Sequence, residues 1–432
     1  MFPMQTVSSS RGLGDLALAT AWSLWTELGV SGWERRHQSE AIDVEPLILF
    51  TARLGELDHR LFEESLDWCI SNARFVSATR FRGLLKRVDP VVGEAFGDYS
   101  ATVTAKVLKI RWPGEGKALQ FTPSGKSEAP NLERAGLLQL RLRALFGVGT
   151  RAEVLRLLLI DVPRGWSAAE LARESGYAKV NVAAALDVLA LAGTIRVEKS
   201  GNQFRYRLGK GPQLVELAGP LPSFQPDWSA RFAVMLPLTR LKLERGQGEG
   251  MARAAQVVGV LRQIEKPLTR LGLLDLVPTP GRPEFNQEFD LWSEQLLSYW
   301  AGQDVPAGPN DAVFDVHRTD IAWKATVREP GRSPRPLTLP DWEDLYKDHP
   351  RSDSMIADDS SGAFLLAHEL MRRAYGRTGR AIEPFRYQPE VIAFAEQQLR
   401  TIPRGQSRTF SDAYLRLWRA EHVGRLSSAT GG

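Results

Sequence analysis

The sequence predicts a mainly α, multidomain chain with one compact helix–helix–turn–helix–hairpin unit near its centre, flanked by helical domains. Three observations carry that expectation. Apolar residues recur at helical spacing through most of the 432 residues. Strict apolar–polar alternation is confined to short runs around 195–208 and 313–328. The length, at roughly 150 residues per domain, implies about three compact units. With 43% hydrophobic and 25% charged residues, the composition excludes wholesale disorder. No apolar run approaches the ~18–20 residues of a membrane helix, and residues 1–14 lack the basic-then-apolar pattern of an export signal. One cysteine, Cys69, excludes an intramolecular disulfide or thiolate cluster and fits a buried position in a reducing cytoplasm. A cytoplasmic protein with no membrane partner is expected.

The division expected along the chain is an N-terminal helical domain with a basic second half (1–145), the central unit (146–210), a helical domain (211–302), a proline-rich segment with a β-hairpin (303–340) and a C-terminal helical region (341–432). Leu16, Ala19, Trp22, Trp25 and Leu28 recur near helical spacing, as do Leu61, Leu66 and Ile70 after Asp58, and Pro46 suits a first helical turn. Gly93, Gly97, Pro113, Gly114 and Gly116 break the pattern. Residues 101–112 fit either a strand or a helix, and 121–132 read as loop. Helix resumes at Ala135, where Leu137, Leu138, Leu140 and Leu142 interleave with Arg141 and Arg143. Further helices are expected near 228–243, 251–272 and 286–301. A hairpin is expected from 313–318 and 321–328, turning at Thr319 and Asp320, followed by three C-terminal helices capped by Ser361, Pro389 and Ser411. Trp22, Trp25, Trp68, Trp292, Trp300 and Trp418 fall at core positions.

Charge is uneven. Residues 1–70 carry 5 Lys+Arg against 11 Asp+Glu, 71–145 carry 13 against 6, and 146–210 carry 10 against 6. A basic middle third points to an anionic partner, although a solvated basic face gives the same count. Fragments of enzyme motifs fail on inspection. Gly147-Val-Gly149-Thr-Arg-Ala152 has the spacing of a dinucleotide-binding turn but follows a Leu/Arg helical segment instead of a strand. Gly125-Lys126-Ser127 ends like a phosphate loop, yet Gln120 stands where the leading glycine belongs and Pro130 interrupts the following helix. His368-Glu369 begins like a zinc-protease helix, but Arg372 occupies the second histidine position. Asp341, Glu343, Asp344, Asp348, Asp358 and Asp359 read as exposed loop residues and caps ahead of a hard-cation site. Arg372, Arg373, Arg377 and Arg380 suit a helix C-terminus. No cofactor, metal or catalytic set emerges, and a non-enzyme is expected.

Residues 150–208 are the best-defined unit. Thr150 with Glu153, and Ser167 with Glu170, have capping-box spacing. Gly176 supplies a left-handed corner. Val182, Leu186 and Leu189 give the third helix, about 178–192, a core stripe, and Gly193 ends it. Ile195 and Val197 alternate with Arg196 and Glu198; after the Ser200-Gly201-Asn202 turn, Phe204, Tyr206 and Leu208 alternate with Arg205 and Arg207, predicting a hairpin with one apolar and one basic face.

This segment resembles a winged helix-turn-helix of the kind found in bacterial MarR-like and ArsR-like transcriptional regulators, over roughly 60 residues. The resemblance implies that the third helix enters a DNA major groove. Tyr177, Lys179, Val180, Asn181 and Ala184 would then face bases, Asn181 pairing with adenine and Lys179 reaching guanine or phosphate. Arg196, Lys199, Arg205 and Arg207 would contact the DNA backbone from the wing. ArsR-type metal sensing is not implied, because the Cys/His ligands are missing. The expected function is a non-catalytic regulator that binds double-stranded DNA as a homodimer, modulated by a ligand or protein held in the flanking domains. The alternative is an adaptor or antitoxin-like protein whose winged helix and helical arms bind a protein partner.

Overall fold

The computed structural model describes residues 12–32, 34–38, 40–161, 164–243, 250–320, 322–337, 360–376, 395–396 and 398–430. It is mainly helical with small antiparallel sheets and divides into two compact units, residues 14–236 and residues 237–432 together with 1–13.

The first unit begins with α1 (Leu13–Glu27), α2 (Val44–Leu54), α3 (His59–Asn72), α4 (Ala78–Leu85) and α5 (Pro90–Lys106). Asp58, Ser77 and Asp89 cap α3, α4 and α5 through backbone amides, and Pro90 opens α5 where its fixed φ costs nothing. Gly93 and Gly97 do not break the pattern as the sequence led us to expect; both lie inside α5. Gly97 is there because segment 113–116 crosses the helix: a Cβ would sit 2.0 Å from the Glu115 carbonyl oxygen. Residues 107–134 have no regular structure apart from turns. The Asp67 carboxylate pins that stretch by accepting from the Gly125 and Ser127 amides at 2.9 and 3.2 Å.

The chain continues through α6 (Leu138–Phe146), α7 (Thr150–Ile160), α8 (Ala168–Ser175), α9 (Lys179–Leu191), β1 (Ile195–Ser200), β2 (Gln203–Leu208), α10 (Gly211–Ala218) and the part of α11 (Trp228–Leu243) up to residue 236. In the core, Trp25 and Trp68 pack edge to face at 5.4 Å and donate to Thr51 Oγ1 and the Leu28 carbonyl. Phe232 of α11 stacks on Phe50 of α2 at 4.1 Å.

Helix α7 is apolar on nearly every side, with Val154, Leu155, Leu157, Leu158 and Leu159 all buried. Two of its three charged residues, Glu153 and Arg156, are therefore buried as well and must find partners, while Arg151 in the first turn is exposed. They find them in a network of three arginines and three carboxylates. Arg143 Nη2 donates to Glu153 at 2.6 Å, and Arg143 Nη1 to Glu45 at 2.6 Å. Arg156 Nε donates to Glu153 at 3.0 Å. Arg80 donates to Asp43 at 2.7 Å, to Glu45, and through Nε to the Ser175 carbonyl at 2.8 Å. Gln139 fills in by donating to Asp43 and Glu153 while accepting from the Val44 amide. The network joins the start of α2 to α4, α6, α7 and the end of α8. The boundary expected at 145/146 runs through its middle, and residues 14–236 form one unit across it.

The second unit contains α12 (Met251–Leu271), α13 (Phe285–Trp300), β3 (Val313–Arg318), β4 (Trp323–Arg328), β5 (Arg335–Pro336), α14 (Ser360–Gly376), β6 (Ser407–Ser411) and α15 (Asp412–Thr430). The expected hairpin is present as β3 and β4, with Arg318 opposite Trp323. The sheet has four strands in the order β5-β4-β3-β6. Strand β6 lies where the sequence pattern predicted only helices, and it pairs along the second edge of β3, Phe314 opposite Phe410. Ser411 accepts from the Tyr414 amide at 3.2 Å and starts α15 as expected. Arg372 and Arg373 both bind Glu369 one turn away. Pro389, Arg377, Arg380 and the acidic cluster Asp341, Glu343, Asp344, Asp348, Asp358 and Asp359 lie outside the described residues. Among the described residues no helix is long and apolar enough to cross a membrane.

Replacing Arg143 with Met leaves Glu45 and Glu153 without their shared cation. It is expected to cost ~3–5 kcal/mol in urea unfolding; a cost below about 1 kcal/mol would contradict this role. Burial raises the Glu153 carboxyl, but Arg143, Arg80 and Arg156 outweigh it and hold the group well below the usual carboxylate range. Burial also raises Asp43, and Arg80 and Arg156 bring it down on balance. Both groups are lower in the folded chain than in the unfolded one, so their stabilisation is complete above the ordinary carboxylate range and lost as pH falls below it. The urea midpoint should hold steady above about pH 5 and fall below it. E153Q should be less stable at neutral pH and decline less steeply in acid, and an unchanged acid slope would contradict the assignment.

Candidate nucleic-acid interface

The segment from α7 to β2 is ordered by local chemistry. At α8, Ser167 Oγ accepts from the Glu170 amide at 3.2 Å and Glu170 accepts from the Ser167 amide at 2.7 Å, which is the reciprocal box expected from the sequence. The second expected box, Thr150 with Glu153, does not form. Gly149 caps α7 without a side-chain bond, because the Glu153 carboxylate is committed to the arginine network. Gly176 turns the chain at φ +75°, a left-handed conformation that glycine adopts without strain. Val182, Leu186 and Leu189 then bury one face of α9. Trp166 and Tyr206 exchange two backbone bonds, 3.0 and 2.7 Å, fastening the hairpin to the chain before α8.

Four of the five residues expected to face bases, Lys179, Val180, Asn181 and Ala184, are exposed on the first turns of α9. Tyr177 is not. It is only 7% exposed, and its hydroxyl is 2.8 Å from Ser77 Oγ of the α4 cap. Burial pushes its hydroxyl pKa up, with the Ser77 bond acting against that. Its ring belongs to the core below the corner, because the residue after a left-handed glycine here turns inward before α9 starts.

The hairpin places Ile195, Val197 and Lys199 opposite Leu208, Tyr206 and Phe204 on one face, and Arg196 and Glu198 opposite Arg207 and Arg205 on the other. Arg196 and Lys199 are exposed and make no ion pair among the described residues. The other two expected backbone contacts are already engaged. Arg205 donates to Glu170 at 2.9 Å and Arg207 to Glu198 at 3.2 Å. Burial raises the Glu170 carboxyl, but its bonds from Ser167 and Arg164 lower it further, so it stays anionic and holds Arg205 against α8. The two arginines that β2 contributes to the face expected to be basic are thus held by Glu170 and Glu198.

A feature that sequence spacing did not bring forward lies beside α9. Phe146, Val148, Thr150 and Arg151 face Asn181, Ala184 and Val188 across a shallow groove of about 350 Å³. Val188 is 50% exposed and Leu191 90%. The signal was present as Val180, Ala184, Val188 and Leu191, spaced along one outward stripe of the helix. The N-terminal half of the outward face thus carries Lys179 and Asn181, and the C-terminal half is apolar except for Asp187. Among the described residues no three His, Cys, Asp or Glu side chains gather as a metal site. Compared with protein-family models, curated proteins and solved structures, the chain matches none of them.

Tyr177→Phe removes a buried hydrogen bond to Ser77 and is expected to cost about 1 kcal/mol in urea unfolding; a variant as stable as the wild type would contradict the buried contact.

Proposed function

We propose that this chain binds duplex DNA, with residues 150–208 acting as a winged helix-turn-helix and α9 as its reading helix. The observation that carries the reading is the pairing of two exposed groups. One is Lys179 and Asn181 on the first turns of α9, the end of such a helix that reaches base edges. The other is Arg196 and Lys199 on the hairpin, cations that make no ion pair among the described residues. Asn181 offers the donor–acceptor pair that matches adenine, and Val180 and Ala184 suit a thymine methyl. The three cations supply sequence-independent attraction to phosphate. The mechanism is occupancy of a DNA site, with no chemical step. A homodimer, placing two such helices one turn of DNA apart, belongs to the same proposal.

A second reading, an adaptor that holds a protein partner, is favoured by one observation: the apolar C-terminal half of α9 beside Phe146 and Val148. Salt dependence separates the two. Wild-type binding to duplex DNA should weaken linearly in log–log form with salt, and K179A/R196A/K199A should flatten that slope by roughly 0.9 for each phosphate no longer neutralised. On a duplex selected from a randomised pool, N181A should cost ~1–3 kcal/mol and relax preference at one base pair. Weak binding that is equal for every duplex and absent at physiological salt would overturn the DNA reading in favour of the adaptor.

A further inference from the structure

We propose that the end of α4 and the turn that follows it, outside the helix-turn-helix, form a second DNA-contacting element, with Arg82, Lys86 and Arg87 making a phosphate-binding ridge beside the start of α9. The inference rests on the DNA-binding reading and extends its footprint.

The geometry is set by how closely α4 meets the corner between α8 and α9. Three points along α4 touch three consecutive corner residues. Ser77 Oγ meets the Tyr177 hydroxyl at 2.8 Å, Arg80 Nε donates to the Ser175 carbonyl at 2.8 Å, and a Cβ on Gly83 would lie 2.7 Å from the Gly176 carbonyl oxygen. Residue 83 thus points straight at the corner, and α9 begins with Lys179 three residues beyond Gly176.

At about 100° per residue, Arg82 and the C-cap residue Lys86 leave α4 about 100° and 60° to one side of the Gly83 direction; Arg87 follows in the turn that closes the helix, its amide donating to the Leu84 carbonyl at 2.8 Å. Arg82 and Lys86 therefore flank the contact instead of facing away from it, and Arg87 is the next residue along the chain. All three are exposed and make no ion pair among the described residues. No Asp or Glu occurs between residues 68 and 88. The next carboxylate, Asp89, caps α5 by accepting from the Val91 amide. Arg80, the remaining cation of α4, is neutralised inside the buried network, so the ridge is made by its exposed neighbours alone. Because that network also binds the end of α8, ridge and reading helix are held in one frame. Phosphate contacts made in such a frame set the register of the reading helix on the duplex without reading sequence themselves.

The test is fluorescence anisotropy of the full chain with a mixed-sequence duplex of roughly 30 base pairs, about three helical turns, across a salt series. R82A/K86A should flatten the log–log slope by about 1.8 and weaken binding roughly 60-fold at 0.1 M salt. R82K/K86R, which keeps the charges, should bind like the wild type. Both variants must retain the wild-type thermal midpoint, which exposed side chains allow. Wild-type binding whose slope is unchanged in R82A/K86A overturns the ridge and leaves the reading helix standing. Absence of binding by the wild type overturns the DNA reading and the ridge with it.

Discussion

Three arginines and three carboxylates sealed away from water are the constraint on which residues 14–236 depend. A charge of this kind costs several kcal/mol to desolvate, and the cost is offset only where each partner lies in good hydrogen-bonding geometry. Glu153 illustrates the point: it accepts from Arg143, Arg156 and Gln139 and has no contact with solvent to fall back on. Apolar burial around α7 favours compactness in many arrangements. The ion network is directional, so a shift of α2, α4, α6 or α7 leaves a buried charge unpaired.

This constraint also shapes the proposed site. Arg80 joins the network to the Ser175 carbonyl, and Ser77 joins the α4 cap to Tyr177. The corner before α9 is thereby held by the N-terminal helices and not only by its own hydrophobic stripe. Side chains presented from a rigid helix lose less entropy when they engage a partner. In the proposed site, that support leaves Lys179, Val180, Asn181 and Ala184 as the exposed residues on the first turns of α9.

Much of this was legible in residues. The α8 box, the left-handed Gly176, the Val182–Leu186–Leu189 stripe and the hairpin turn at Gly201 are local rules acting over a few positions, and each formed as its spacing implies. What failed depended on residues far apart in the chain. Gly97 reads as a helix breaker until Glu115 is found lying across it. Thr150 and Glu153 read as a cap until Arg143 and Arg156 claim the carboxylate. Strand β6 needs β3, about ninety positions earlier, to exist at all. Arg205 reads as a phosphate contact until Glu170 is found within reach.

The most direct measurement is backbone amide exchange across the full chain with and without duplex DNA. The account expects protection to concentrate in the first turns of α9 and in the hairpin around Arg196 and Lys199. Protection confined to residues 145–149 and the apolar end of α9, or none anywhere at a DNA concentration that saturates binding, would contradict it.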